Sequence, residues 1–185
     1  MNKNDFAKTP PMGWNSWDCY GASVTEKELK QNADYMAEHL KKYGWEYIIC
    51  DIQWYEPTAD SSHYHKFADL CMDEYGRLIP AENRFPSAAG GKGFREIADY
   101  IHGKGLKFGI HIMRGIPRQA VAKNVTIKGT SYTARQVAHP ASICCWNSDM
   151  YGVDSTQPAH RNTMILFWNC MRPGEWIILK WMISV

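Results

Sequence analysis

Between Met12 and Met113 the chain alternates short apolar runs with stretches whose apolar positions fall three and four apart. Met12 to Trp17 reads as a short strand after the Pro10-Pro11 stop. Thr25, with Glu28 three residues on, forms a capping box. It predicts a helix to about Lys42, with Leu29, Ala33, Met36 and Leu40 on its apolar face and Gly44 closing it. Tyr47 to Ile52 is mostly apolar with Asp51 near its end, the pattern of a strand buried on both faces. Residues 55–92 are polar and punctuated by Pro, Gly and Ser, which predicts a long excursion after that strand. Phe94 to Lys104 reads as a second helix with Ile97, Tyr100 and Ile101 inward, ended by Gly105. Lys107 to Met113 is a third buried strand. Strands and helices in this order build parallel βαβ units, in a barrel or an open α/β sheet. No repeat of solenoid period is present.

Composition narrows the class. The chain has 185 residues, 45% hydrophobic and 22% charged, with a formal net charge of +2. Those values exclude disorder and low-complexity polymers. The balance of charge speaks against a nucleic-acid surface. No run reaches the ~20 apolar residues of a membrane span, so no membrane partner is expected. Residues 1–8 carry charge and no apolar core, so no secretory signal is read there. The six cysteines include no C-x-x-C pair, which leaves free thiols in a reducing cytoplasm as the expectation.

Candidate chemistry falls at the ends of the expected strands, where the catalytic groups of a parallel barrel lie. Trp17 and Asp18 end the first, Asp51 and Trp54 the second, His111 and Arg114 the third. Each has a plainer reading. Asp51 suits a cap, His111 a satisfied core histidine, and Trp14, Trp17 and Trp54 ordinary core. Eight tryptophans suit a large core or a sugar-binding cleft. His63 and His65 resemble a metal pair, but no third ligand is evident and they are read as loop residues. Gly90, Gly91 and Gly93 lack the strand and Gly-Lys-Ser/Thr of a phosphate loop. Arg114 and Arg118, with Pro117 between them, make a turn whose cations either hold an acidic group or are only solvated.

The segment Thr9-Pro-Pro-Met-Gly-Trp-Asn-Ser-Trp17 resembles the opening of the α-galactosidase (melibiase) family, glycoside hydrolase family 27. Gly44-Trp-Glu-Tyr-Ile-Ile-Cys-Asp51-Ile-Gln-Trp54 and Gly105-Leu-Lys-Phe-Gly-Ile-His111 resemble its second- and third-strand motifs, and Met150-Tyr-Gly-Val-Asp154 extends the match. The resemblance implies a retaining glycosidase on a (β/α)8 TIM barrel, with two carboxylates about 5 Å apart as nucleophile and acid/base. It implies α-galactosidase activity on a carbohydrate substrate, a terminal α-galactoside or related glycoside, and no metal or organic cofactor. It places Asp51 against sugar hydroxyls, Trp17 and Trp54 as flat walls, and Lys107 and His111 near the sugar, although the family often has Tyr where His111 stands. One departure is Ile52, where the family commonly has a second Asp. An aliphatic side chain cannot accept the hydrogen bonds that read an axial hydroxyl.

The family nucleophile lies in a fourth-strand pattern like Trp-Gly-Val-Asp-x-x-Lys-x-Asp, and the acid/base further on. The tail, Gly174-Glu-Trp-Ile-Ile-Leu-Lys-Trp-Met-Ile-Ser-Val185, matches neither. Read one nucleotide back, the junctions Trp176-Ile177, Trp181-Met182 and Met182-Ile183 each force GAT, an Asp codon. With suitable codons elsewhere the text becomes Trp-Gly-Val-Asp-Tyr-Ile-Lys-Met-Asp-Asp-Ile-Ser. The expectation is therefore a barrel portion over residues 1–161, truncated after about three βα units, and a frame-shifted tail over residues 162–185. Such a chain lacks both catalytic carboxylates and is expected to be inactive alone. The alternative is a non-catalytic carbohydrate-binding remnant. An open α/β hydrolase or reductase fits the element order but lacks Gly-x-Ser-x-Gly and Gly-x-Gly-x-x-Gly.

Overall fold

A computed structural model of the chain describes residues 10–61 and 63–163 and the backbone of 177–181. Its centre is a parallel sheet in the order β1 (Met12–Asn15), β2 (Trp45–Cys50), β3 (Lys107–Ile112), β7 (Ile177–Trp181). The first three strands are those the apolar runs predict. A fourth parallel strand joins the edge of β3. There Phe108 faces Ile177 and Ile112 faces Trp181. Ile177-Ile178-Leu179 is a run with the β-branched character that suits a parallel strand. Residues 164–176 and 182–185 of the tail lie outside the described residues.

Gly13 is required by the packing of β1 on β2. A Cβ there would stand 2.5 Å from the Cβ of Tyr47, its neighbour in register. The close approach sets the first two strand ends side by side.

The Thr25 cap forms as expected. Glu28 N–H donates to Thr25 Oγ1 at 3.4 Å, and Thr25 N–H donates to Glu28 Oε2 at 2.8 Å. Helix α2 (Glu26–Tyr35) buries Leu29 and Ala33. Beyond Tyr35 the helical path loosens into a wider π turn, Met36–Leu40, and then a 3₁₀ turn, Lys41–Tyr43. Gly44 ends it at φ +90°, a left-handed conformation natural to glycine. Helix α3 (Arg95–Gly103) turns Ile97, Ala98 and Ile101 inward. One core joins these helices to Ile48, Cys50, Phe108 and Ile110 of the sheet.

The polar excursion after β2 is not merely surface. Leu70, Leu78, Phe85 and Ala88 enter the same core. After β3 the chain builds a smaller antiparallel sheet in the order β4 (Ile116–Pro117), β6 (Met150–Val153), β5 (Ala138–Ile143), together with α4 (Arg118–Lys123) and α5 (Ala134–Val137). Its own core gathers Ile116, Ile127, Ala134 and Val137. This sheet follows β3 in the chain, and Asp149, just before β6, reaches Gln53 and Tyr55 in the turn after β2. Among the described residues no helix is long and apolar enough to cross a membrane.

Candidate functional site

The register of β2 on β3 pairs Cys50 with Ile110, so the next residues, Asp51 and His111, emerge side by side at the C-terminal end of the sheet. Asp51 is 3% exposed and His111 fully buried. Asp51 Oδ1 accepts the Ile52 N–H at 2.7 Å and lies 3.9 Å from His111 Nδ1. The Asp51 backbone N–H donates to Ser16 Oγ at 2.8 Å, which ties the end of β2 to the end of β1. A buried carboxylate fixed by its own loop is chemically an acceptor suited to hydroxyl donors.

Aromatic rings stand beside it. Trp17, the first residue of the short helix α1 (Trp17–Tyr20), stacks on Tyr64 with ring centroids 5.4 Å apart at 21°. Tyr64 in turn meets Trp146 at 5.4 Å in a tilted contact. All three are half-buried and rest on the main core. Burial pushes the Tyr64 hydroxyl above its usual range, and the charges of Asp51 and Asp149 push it further. That places Tyr64 in the field of both carboxylates.

Asp149 is the second buried carboxylate of this end, 3% exposed. Its Oδ2 accepts from Tyr55 OH at 3.0 Å and from Gln53 Nε2 at 3.1 Å. Burial raises its carboxyl above the ordinary range, against the lowering pull of those hydrogen bonds and one to Asn147. Gln53 reaches it from a left-handed backbone, φ +61°, in the turn that follows Asp51. Arg84 fixes that turn. Its guanidinium is buried and donates to the carbonyls of Gln53 at 2.8 Å, Glu56 at 2.9 Å and Val24 at 2.7 Å, and also to that of Ala22.

The five residues singled out from the sequence separate into two groups. Trp17, Asp51 and His111 meet at one end of the sheet. Trp54 lies close by but inside the core, 6% exposed, edge-on to Tyr55 and Phe94 at 5.0 and 5.2 Å. Its indole N–H donates to the His111 carbonyl at 2.8 Å. It supports the strand ends from beneath, and Tyr64 and Trp146 stand where a flat wall is offered. Lys107 is not brought to this end. It opens β3 opposite Tyr47, about 13 Å of strand from His111, and pairs with Glu46 at 2.6 Å on the exposed far edge. A lysine that leads into a strand starts at the N-terminal rim, and the register then fixes its distance from the site.

Sequence reasoning missed Ser16, Tyr64, Trp146 and Asp149. Asp149 carried one usable signal, a polar Asn-Ser-Asp triplet just before an apolar run. Tyr64 sits in an excursion with no periodicity to read. His65 lies between Glu56 Oε2 at 3.5 Å and Asp60 Oδ1 at 3.4 Å. Among the described residues no group of three or more His, Cys, Asp or Glu is placed to hold a metal ion. The arrangement is one of buried acceptors flanked by rings, suited to a polyol whose hydroxyls donate and whose C–H face is apolar.

Comparison with known proteins gives the same direction. The profile of the family described as Alpha galactosidase A (Melibiase_2) matches residues 9–172. A variant of Abp, a GH27 β-L-arabinopyranosidase from Geobacillus stearothermophilus solved with arabinose, is 62% identical. It superposes with a TM-score of 0.89 over 92% of this chain and 39% of its own. Wild-type Abp is 66% identical with a TM-score of 0.84, over 85% of this chain and 36% of its own. An α-galactosidase of Oryza sativa subsp. japonica is 29% identical over 88% of this chain and 33% of its own length. The chain thus spans about a third or less of the curated relatives it matches.

Proposed function

Because the chain belongs to the α-galactosidase A (Melibiase_2) family of glycoside hydrolases, we propose that the cleft at Asp51 binds the terminal sugar of a glycoside. The Asp51 carboxylate accepts from sugar hydroxyls. His111 sets the carboxylate's orientation from the neighbouring strand. Trp17 and Tyr64 cover the apolar face of the ring. The observation that supports this reading most is the buried Asp51–His111 pair beside the Trp17–Tyr64 stack.

Of the sugars that fit, a pentopyranose is favoured over galactose. β-L-Arabinopyranose has the ring configuration of α-D-galactopyranose without the exocyclic hydroxymethyl group. The aliphatic Ile52 after Asp51, 1% exposed, offers no acceptor to the axial hydroxyl that both sugars carry, so the preference between them is drawn from similarity. The similar Geobacillus protein is described as a β-L-arabinopyranosidase. Titration calorimetry is expected to show methyl β-L-arabinopyranoside binding about tenfold more tightly than methyl α-D-galactopyranoside, a difference of about 1.4 kcal/mol. The reverse preference contradicts the assignment.

The chemistry proposed for the complete enzyme is retaining hydrolysis by two carboxylates about 5 Å apart, one forming the covalent glycosyl intermediate. Asp51 acts in binding, since its carboxylate is already engaged with Ile52 N–H and His111. The nucleophile pattern is recovered from residues 174–185 only in the shifted frame. We assign that stretch to a frame shift and the chain alone to binding without turnover. The cytoplasm is its proposed compartment, in keeping with Cys19, Cys50, Cys71, Cys144 and Cys145, all free thiols.

A further inference from the structure

Beside the cleft, at the same end of the sheet, lies a cavity of about 240 Å³. Its lining includes Phe67, Asp69, Arg118, Gln119, Ser148 and Asp149. Asp149 lines the cavity, and its charge also reaches Tyr64, the ring beside Asp51. The shape is fixed by hydrogen bonds between three separate segments. The Gln119 side chain accepts from Leu70 N–H at 2.7 Å and donates to Leu70 O at 3.2 Å. Ser148 Oγ accepts from Phe67 N–H at 2.8 Å. Drug-sized pockets run from about 300 Å³ upward, so this one has room for a single ring and not for a chain.

Two features of the cavity wall stand out. Phe67 is 75% exposed and held at φ +59°, a conformation rare for a bulky side chain. Arg118 lies over the Tyr151 ring at 4.3 Å and faces the Phe67 ring at 6.0 Å. Its Nε is buried and meets no acceptor among the described residues. A guanidinium clamped between rings with an unmet donor is pre-oriented for a ligand oxygen.

We propose that this cavity is the subsite for the second sugar of the glycoside, with Phe67 against its C–H face and Arg118 and Asp69 reading adjacent hydroxyls. Arginine only donates and a carboxylate only accepts, whereas each hydroxyl does both, so the pair matches a diol. Two carboxylates against one guanidinium in the same wall disfavour an anionic occupant. The occupant is a neutral pyranose. The proposal rests on the terminal-sugar reading and extends it by one sugar residue along the glycan.

Calorimetric titration of the chain with two ligands tests it. One is methyl β-L-arabinopyranoside; the other is the same arabinopyranose linked to a second neutral pyranose. The disaccharide is expected to bind about tenfold more tightly. Arg118→Ala and Phe67→Ala, each checked for an unchanged circular dichroism spectrum, are expected to remove that advantage and leave the methyl glycoside unaffected. Equal affinities in the unaltered chain overturn the subsite, as does an advantage that survives both substitutions. Equal weakening of both ligands shows that the residues act on the cleft itself and also overturns it. If neither ligand binds, the terminal-sugar reading has failed, and the subsite falls with it.

Discussion

Replacing Asp51 by Ala is expected to weaken binding of methyl β-L-arabinopyranoside at least about a hundredfold, or about 3 kcal/mol. The carboxylate is 3% exposed, and its Oδ1 is occupied by the Ile52 N–H. A sugar hydroxyl that lost this acceptor would enter a buried position without a partner. Unmet buried polar groups cost about 1–3 kcal/mol, and more beside a charge. His111 would also lose the carboxylate 3.9 Å from its Nδ1. Asp51→Asn keeps an acceptor for Ile52 and retains the shape of the turn. It should therefore recover thermal stability while leaving affinity well below that of the unaltered chain. Calorimetry gives the affinity, and a melting curve separates it from stability. Full affinity in Asp51→Ala would remove Asp51 from the binding role.

Arg84→Met is expected to destabilise the fold by about 4 kcal/mol or more, enough to unfold a marginal domain. The Arg84 guanidinium serves the carbonyls of Ala22, Val24, Gln53 and Glu56, which come from two segments flanking the site. Methionine fills a similar volume but leaves those carbonyls unmet in the interior. It also removes a cation whose charge acts on the fully buried Glu56. Burial lowers the guanidinium pKa but leaves it charged across the ordinary range, since arginine starts so high. The loss should therefore show little pH dependence near neutrality. Urea denaturation followed by circular dichroism measures it; a change below about 1 kcal/mol would mean that water replaces the guanidinium there.

The sequence made the frame of the parallel sheet legible and left its surroundings dark, for identifiable reasons. β2 and β3 are continuous apolar runs, and the Thr25–Glu28 box marks a helix start that the structure reproduces. Those signals are local. Once the two strands are parallel and in register, Asp51 and His111 must be neighbours. Lys107 shows a first limit: the strand read from Lys107 to Met113 already sets it at the N-terminal end, and only the motif match carried it toward the sugar. Trp54 shows the second limit, since an indole at a strand end packs inward when a carbonyl such as that of His111 is within reach. Tyr64, Trp146 and Asp149 reach the site through residues 55–92 and the antiparallel sheet. There the strands are short and the contacts distant in sequence, so no periodicity announces them. The fourth strand is a different case: the frame-shift expectation for residues 162–185 leaves no strand to be read in that stretch as it stands.

The central claim is that the ends of β1, β2 and β3 form a sugar-binding cleft. A crystal structure of the chain soaked with methyl β-L-arabinopyranoside tests it most directly. The expected result is a pyranose ring lying against the Trp17–Tyr64 stack, with a hydroxyl within hydrogen-bond distance of Asp51. Ring density elsewhere on the molecule, with Asp51 and His111 left untouched, would contradict it.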